Sequence, residues 1–202
     1  MNDSHYPAQH HTMPTPSVSA GHGKAGHGWV GLTLGATLVT MALVAGLNFT
    51  FMIAVMPALA GVDDRTFVMI TQRFNENPVF PLSFTAALLL AILATALQAS
   101  LSRGPALRWV IAALALYVVV LAITGALHIP LNEQITRAGD PDRITDLAHL
   151  RDQFEAPWVI GNAVRTVFCA AAVAALARAI YLHGRAATHR RPMVSLPSRQ
   201  RP

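Results

Sequence analysis

Four long stretches of this chain are almost without charge, and they decide its fold class before any other feature is considered. Trp29–Val62, Asn77–Ser102 and Trp109–Asn132 hold no Asp, Glu, Lys or Arg, and Ala156–Ala177 holds only Arg165. A helix of about 20 residues, at ~1.5 Å rise per residue, crosses a hydrocarbon core of ~30 Å. Each run reaches that length. The expectation is an all-α, four-helix transmembrane bundle with spans at about 29–60, 79–102, 107–129 and 157–182. Composition agrees: 53% of residues are hydrophobic and 12% charged, against roughly 25% charged in soluble domains.

The flanking segments are different in kind. Residues 1–28 are rich in His, Pro, Gly, Ser and Thr, with little apolar surface to bury, and are expected to be a disordered tail. Residues 184–202 are expected to be a second, basic, disordered tail, leaving 29–183 as the membrane domain. The histidines of the first tail (His5, His10, His11, His22 and His27) fit either a weak transition-metal site or a solvated tail. No cleaved signal peptide is expected, because the first apolar run is far longer than a signal h-region of about 7–15 residues.

Charge is distributed by side. The N-terminal tail, the 2–3 loop and the C-terminal tail carry nine Lys and Arg residues against the single acid Asp3. The 1–2 and 3–4 loops carry five arginines against nine acids. Basic residues near span ends mark the cytoplasmic side, so both termini are expected inside the cell membrane. The net charge of +5 is then topology and attraction to anionic lipid, not nucleic-acid binding. Membrane lipids are the expected partners. Oligomeric state is not legible.

Within the spans, Gly31 and Gly35 form a small-xxx-small pair that allows close helix approach. Asp63 and Asp64 are expected to start an amphipathic helix with Phe67, Ile70 and Phe74 on one side, lying on the membrane surface. Ser102-Arg103-Gly104-Pro105 is a tight turn between spans two and three. Pro130 should end the third span. Asp140 should cap, and Pro141 start, a second outer helix with an Ile144, Leu147, Leu150, Phe154 stripe, and Pro157 should open the fourth span. The two acidic loops resemble each other: Asp64-Arg65, Arg73, Glu76 and Pro78 match Asp142-Arg143, Arg151, Glu155 and Pro157, as in a parallel repeat.

Polar residues gather at one depth, near the acidic loops. They are Asn48, Asn75 and Asn77 in the first half, and Thr124, His128, Asn132, Asn162 and Arg165 in the second. A buried unpaired amide costs ~1–3 kcal/mol and an unpaired charge more, so each needs a partner. For Arg165, Glu133 or Glu76 is the expected counter-ion. The group either lines a pocket open to the outer loops or ties helices in register. Trp158 at the span boundary reads most simply as an interfacial anchor. The lone Cys169, inside the fourth span, cannot form an intrachain disulfide.

No metal or cofactor is expected. A bis-histidine haem needs two intramembrane histidines where His128 stands alone, and a di-metal bundle needs Glu-x-x-His on two helices. Phosphate loops, Gly-x-Ser-x-Gly elbows and His-Glu-x-x-His motifs are missing from the sequence. One imidazole, one guanidinium and several amides suit an apolar molecule with one or two polar oxygens.

His128-Ile129-Pro130-Leu131-Asn132 resembles a turn at the end of the third span in the anthrone oxygenase-like family of four-span membrane proteins. Trp158, Asn162, Arg165 and Thr166 resemble that family's W-x-x-x-N-x-x-R-T signature in the fourth span. Val55-Met56-Pro57 and Phe74-Asn75 to Phe80 resemble its first-half counterparts. Gly161 departs from the pattern, standing where a bulkier residue is common. The family includes fungal enzymes that oxygenate anthrones to anthraquinones without metal or flavin. On an enzymatic reading His128 would abstract a proton, Arg165 and Asn162 would stabilise the enolate, and Asn48, Asn75, Asn132, Thr124 and Trp158 would contact the substrate. The alternative is a non-enzymatic membrane protein that binds a lipid or small molecule, or supports a partner.

Overall fold

The computed structural model describes residues 20–189, which form an all-helical bundle with no strand. Four helices are long and apolar enough to cross a membrane, beginning at Gly28, Val79, Pro105 and Leu147, and the protein is a multi-pass membrane protein. The first span joins α1 (Ala20–Thr50) through a wide turn to α2 (Met56–Ala60). A short helix, α3 (Asp64–Asn75), precedes the second span, α4 (Val79–Leu101). The third span is α5 (Pro105–Ile123), a second wide turn and α6 (Ile129–Arg137), and the fourth is α7 (Leu147–His189). α1 and α5 each pack against both α4 and α7, so the four spans form a closed ring.

Small side chains let the helices approach. Ala87, Ala91 and Ala94 of α4, Ala113 of α5, and Ala172 and Ala179 of α7 are buried beside Leu34, Met41, Tyr117 and Leu176. Apolar burial drives nothing between helices in lipid, so close packing and cross-helix hydrogen bonds hold the interface. The Thr37 hydroxyl donates to the Leu90 carbonyl (3.1 Å) and the Tyr117 hydroxyl to the Phe84 carbonyl (3.0 Å). Gly31 sits beside the His183 ring, while a Cβ at Gly35 would meet nothing within 4 Å. Neither glycine of the pair marks a helix contact too close for a side chain.

Prolines shape both odd-numbered spans alike. Pro57 and Pro130 lack an amide hydrogen and crowd the carbonyl four residues back. In each span the preceding turn widens to five residues, Phe51–Val55 and Thr124–His128. The Met56 amide bonds the Phe51 carbonyl, and the Ile129 amide bonds the Thr124 carbonyl. The helix therefore does not stop at Pro130 as expected; it runs on to Arg137. Each wide turn ends two residues before its proline, a correspondence between halves beyond the loop residues.

The acidic end departs from expectation in three further ways. The apolar side of α3 packs against protein, where contact with the membrane surface was expected. Phe67 and Val68 are buried with Met56, Leu59, Ile135, Phe154 and Trp158 in a second core that caps the bundle. Asp140 caps only a single turn, Pro141–Arg143, and the longer helix starts at Leu147, where Asp146 accepts from the His149 amide (2.9 Å). Pro157 lies inside α7 and does not open it. A proline is tolerated there because neighbouring helices hold both sides: Phe154 meets Phe67 of α3 edge-on at 6.0 Å, and Trp158 is bonded to α6. At the basic end, helix begins at Ala20 and continues to His189, so residues 20–28 and 184–189 are helical where tails were expected. The remainder of both tails, with His5, His10 and His11, lies outside the described residues.

Candidate functional site

A cavity of about 360 Å³ opens inside the acidic half of the ring. Asn48 and Phe51 of the first span, Phe74 and Asn75 of α3, Phe80 and Phe84 of α4, Leu121, Thr124 and His128 of the third span, Asn132 of α6, and Trp158, Asn162 and Arg165 of α7 form its wall. All eight site residues expected from the sequence line this one space. Asn77 does not: its Oδ1 accepts from the Val79 amide (3.0 Å) and caps α4.

Arg165 sits seven residues past Trp158, two helical turns into the span, and is buried at 6% exposure. Its guanidinium faces the cavity and not the lipid. Nη1 donates to the Thr124 hydroxyl (3.2 Å) and Nη2 to the Asn162 Oδ1 (3.0 Å), while Nε is buried without a partner. Glu133 and Glu76, the expected counter-ions, are bound to Arg137 and Arg73 instead. The nearest electronegative faces are the rings of Phe84 and Trp158, each 5.8 Å from the guanidinium carbon. Aromatic rings attract a cation but do not neutralise it. An arginine stays protonated, so the cavity contains a positive charge with donors to spare and no carboxylate.

Asn162 holds that charge in place. Its Nδ2 donates to the Asn48 carbonyl across to α1 (2.9 Å), leaving Oδ1 for Arg165. Asn48 donates in turn to Cys169 Sγ (3.5 Å). Asn132 Oδ1 accepts from the Trp158 indole (3.0 Å), which fixes the indole as cavity wall and not as an interfacial anchor. Asn75 ties α3 to the Asn132 carbonyl and the Thr136 hydroxyl (both 3.2 Å). Every asparagine of the site is thus committed to structure as well as facing the cavity.

His128 is almost fully buried. Its Nδ1 lies 3.5 Å from the Ile123 carbonyl, and its ring meets Trp158 edge-on at 5.2 Å. Nε2 has no hydrogen-bond partner and is covered, lying against α7 at Gly161, where a Cβ would come within 3.3 Å of it. The departure at Gly161 is what gives the imidazole room.

The sequence reading missed the aromatic half of the wall. Phe51 lies edge-on to Phe74 (5.1 Å) and Phe80 (5.6 Å) and 5.6 Å from Trp158. These rings make that side of the wall apolar and aromatic. Among the described residues no three His, Cys, Asp or Glu side chains group as metal ligands would.

Fold and site together define a four-span, all-helical membrane protein with an arginine-centred aromatic cavity. The chain belongs to the anthrone oxygenase family, whose sequence profile matches residues 73–175, just over half its length. That range contains seven of the eight site residues; Asn48 precedes it. No curated protein and no solved structure matches the chain.

Proposed function

We propose that the cavity binds a planar, hydroxylated aromatic molecule of the anthrone type, with its oxygen against Arg165, and that the protein oxygenates it using O₂ without metal or flavin. One observation carries this reading: the Arg165 guanidinium stands in an aromatic cavity with no carboxylate bound to it. A cation so placed stabilises developing oxyanion charge more than water would, and so favours the enolate of a substrate over its neutral form. Family membership supports the choice of substrate class.

The balance is simple. The activated CH₂ of the anthrone loses a proton, the enolate carbon adds O₂, and the peroxide takes up a proton; the remaining C–H proton then leaves as the O–O bond breaks, giving the carbonyl and a hydroxide that combines with that proton as water. Anthrone and O₂ become anthraquinone and water, O₂ being both oxidant and oxygen source. In this scheme Arg165 and Asn162 hold the enolate oxygen and His128 accepts the proton. Because His128 Nε2 is packed against α7, that role requires the imidazole to turn towards the cavity. A neutral imidazole is a suitable base near pH 7. The basic end of the bundle is read as the cytoplasmic side of the cell membrane, on its excess of arginine.

The test is O₂ uptake and anthraquinone formation from anthrone by purified protein, with the buffer rate subtracted. Arg165→Ala should lower kcat/KM by on the order of 100-fold or more while the bundle stays folded. Turnover no faster than buffer, or an Arg165→Ala variant as fast as the parent, overturns the reading. The covered Nε2 favours a second reading, binding without turnover. It predicts saturable binding of the anthrone with no product, and His128→Ala binding as tightly as the parent.

A further inference from the structure

Hydrogen bonds bridge the cavity at the acidic end, and its exposed lining residues lie on one flank. At that end α3 and α6 are latched together: Asn75 donates to α6, and Gln72 Nε2 donates to the Ile135 and Gly139 carbonyls (both 2.9 Å). Toward the bundle axis Asn48, Asn162 and Arg165 are buried. The exposed lining residues are Pro81 and Thr85 on α4, and Gly125 and Ile129 on the third span. They border the cavity from the two neighbouring spans and lie within the apolar segments Val79–Leu101 and Pro105–Arg137. The same two helices expose Leu82, Leu89 and Val118, a surface that only acyl chains suit.

Gly125 stands out among these four. A Cβ there would meet nothing within 4 Å, and its backbone is not in the left-handed region that favours glycine. Glycine destabilises a helix interior relative to alanine, and neither packing nor backbone geometry calls for it at this position. A side chain at 125 would project into the opening.

The geometry points to a lateral mouth between the second and third spans, through which the cavity takes an apolar aromatic ligand from the acyl phase of the bilayer, with Gly125 setting the size admitted. This rests on the reading of the cavity as an aromatic binding site. A flat apolar molecule concentrates in the hydrocarbon, as does O₂, and a side entrance receives both without passage through water. The oxygen end then meets Arg165 at the inner wall.

Trp158 reports on the mouth. With Trp29 and Trp109 replaced by phenylalanine, the full chain is reconstituted in phosphatidylcholine vesicles whose acyl chains carry bromine. Bromine quenches indole fluorescence at short range. Brominated lipid should quench Trp158 at least twofold more strongly in this background than after adding Gly125→Phe or, from the opposite lip, Thr85→Phe, and aqueous iodide should quench little. Equal lipid quenching in all three proteins, or quenching by iodide and not by lipid, overturns the inference. The measurement needs no turnover, so a failure to oxidise anthrone leaves it intact. Conversely, oxidation in detergent with no effect of either variant on lipid quenching removes the lateral mouth alone.

Discussion

Gly161 of α7 lies so close to His128 that a Cβ at residue 161 would stand 2.8 Å from the imidazole Cε1, and would also collide with the Leu127 side chain. Two spans are in contact here through a position that tolerates no side chain. Alanine would gain about 1 kcal/mol in helix propensity, but overpacking a tight contact costs ~1–3 kcal/mol. Gly161→Ala should therefore lower the melting temperature in detergent, and Gly161→Phe should lower it further. Because the displaced ring rests on Trp158, anthrone binding should weaken in parallel. A Gly161→Ala protein that melts at or above the parent temperature would show that the imidazole can move at no cost.

Arg151 offers a contrast between buried and exposed ion pairs. Its guanidinium donates to the carbonyls of Leu59, Ala60 and Val62 at the end of α2, to Asp64 across the halves, and to Glu155 on its own helix. It also lies 4.5 Å over the Phe67 ring. With its side chain 12% exposed and its carboxylate partners 40% and 25% exposed, Arg151→Met should cost on the order of 2 kcal/mol, between an exposed pair and a fully buried one. Arg151→Lys should rescue little, since an ammonium cannot reach so many acceptors at once. Arg65→Ala removes the exposed two-point pair with Asp142 and should shift the melting temperature far less. Thermal melts of the three variants check the order; equal losses at 65 and 151 would refute it.

The acidic loops should confer a limited acid sensitivity. Asp63 accepts from the hydroxyl and amide of Thr66 at the start of α3 (2.7 and 3.0 Å), which holds its carboxyl below the ordinary value of 3.8. Arg65 does the same for Asp142. A carboxyl lowered in the folded state stabilises it above the unfolded value, and that contribution is lost as pH falls through the folded one. Asp63→Asn and Asp142→Asn should thus melt below the parent at pH 7, with the difference closing below about pH 3.8. A difference that widens on acidification would reverse the assignment.

What could be read from the sequence follows from range. The four spans are written in continuous composition, and their lengths alone require them. Asn48, Asn75, Asn132, Asn162 and Arg165 stand out because amides and a cation are costly in an apolar setting. Phe51, Phe80 and Phe84 do not, since a phenylalanine facing a cavity and one facing lipid look identical in an apolar run. Pro130 and Pro157 read as helix ends by local rules, yet the helix passes both of them, because a wide turn and neighbouring side chains absorb the missing amide. The partner of Arg165 was equally hidden. Glu133 and Glu76 are near in sequence-derived depth, but each is taken by an arginine three or four residues away.

The exchange Asn162→Asp separates a ligand-binding arginine from a scaffolding one. The carboxylate is nearly the same shape as the amide, and it would face Arg165 Nη2 at the 3.0 Å now spanned to Oδ1. If Arg165 serves to bind the helices, a charge-assisted bond there strengthens it. Against it stands the Asn162 Nδ2 bond to the Asn48 carbonyl, which would be replaced by a carboxylate oxygen facing that carbonyl. If Arg165 serves an anionic oxygen, the new carboxylate competes for it and repels the ligand. Binding of anthrone at a pH where its enolate forms should weaken by at least about 10-fold, equivalent to ~1.4 kcal/mol. Asn162→Ala, which leaves the cation unneutralised, should weaken binding less than Asn162→Asp even though it removes more contacts. The reverse order would mean that the guanidinium holds helices together and touches no ligand.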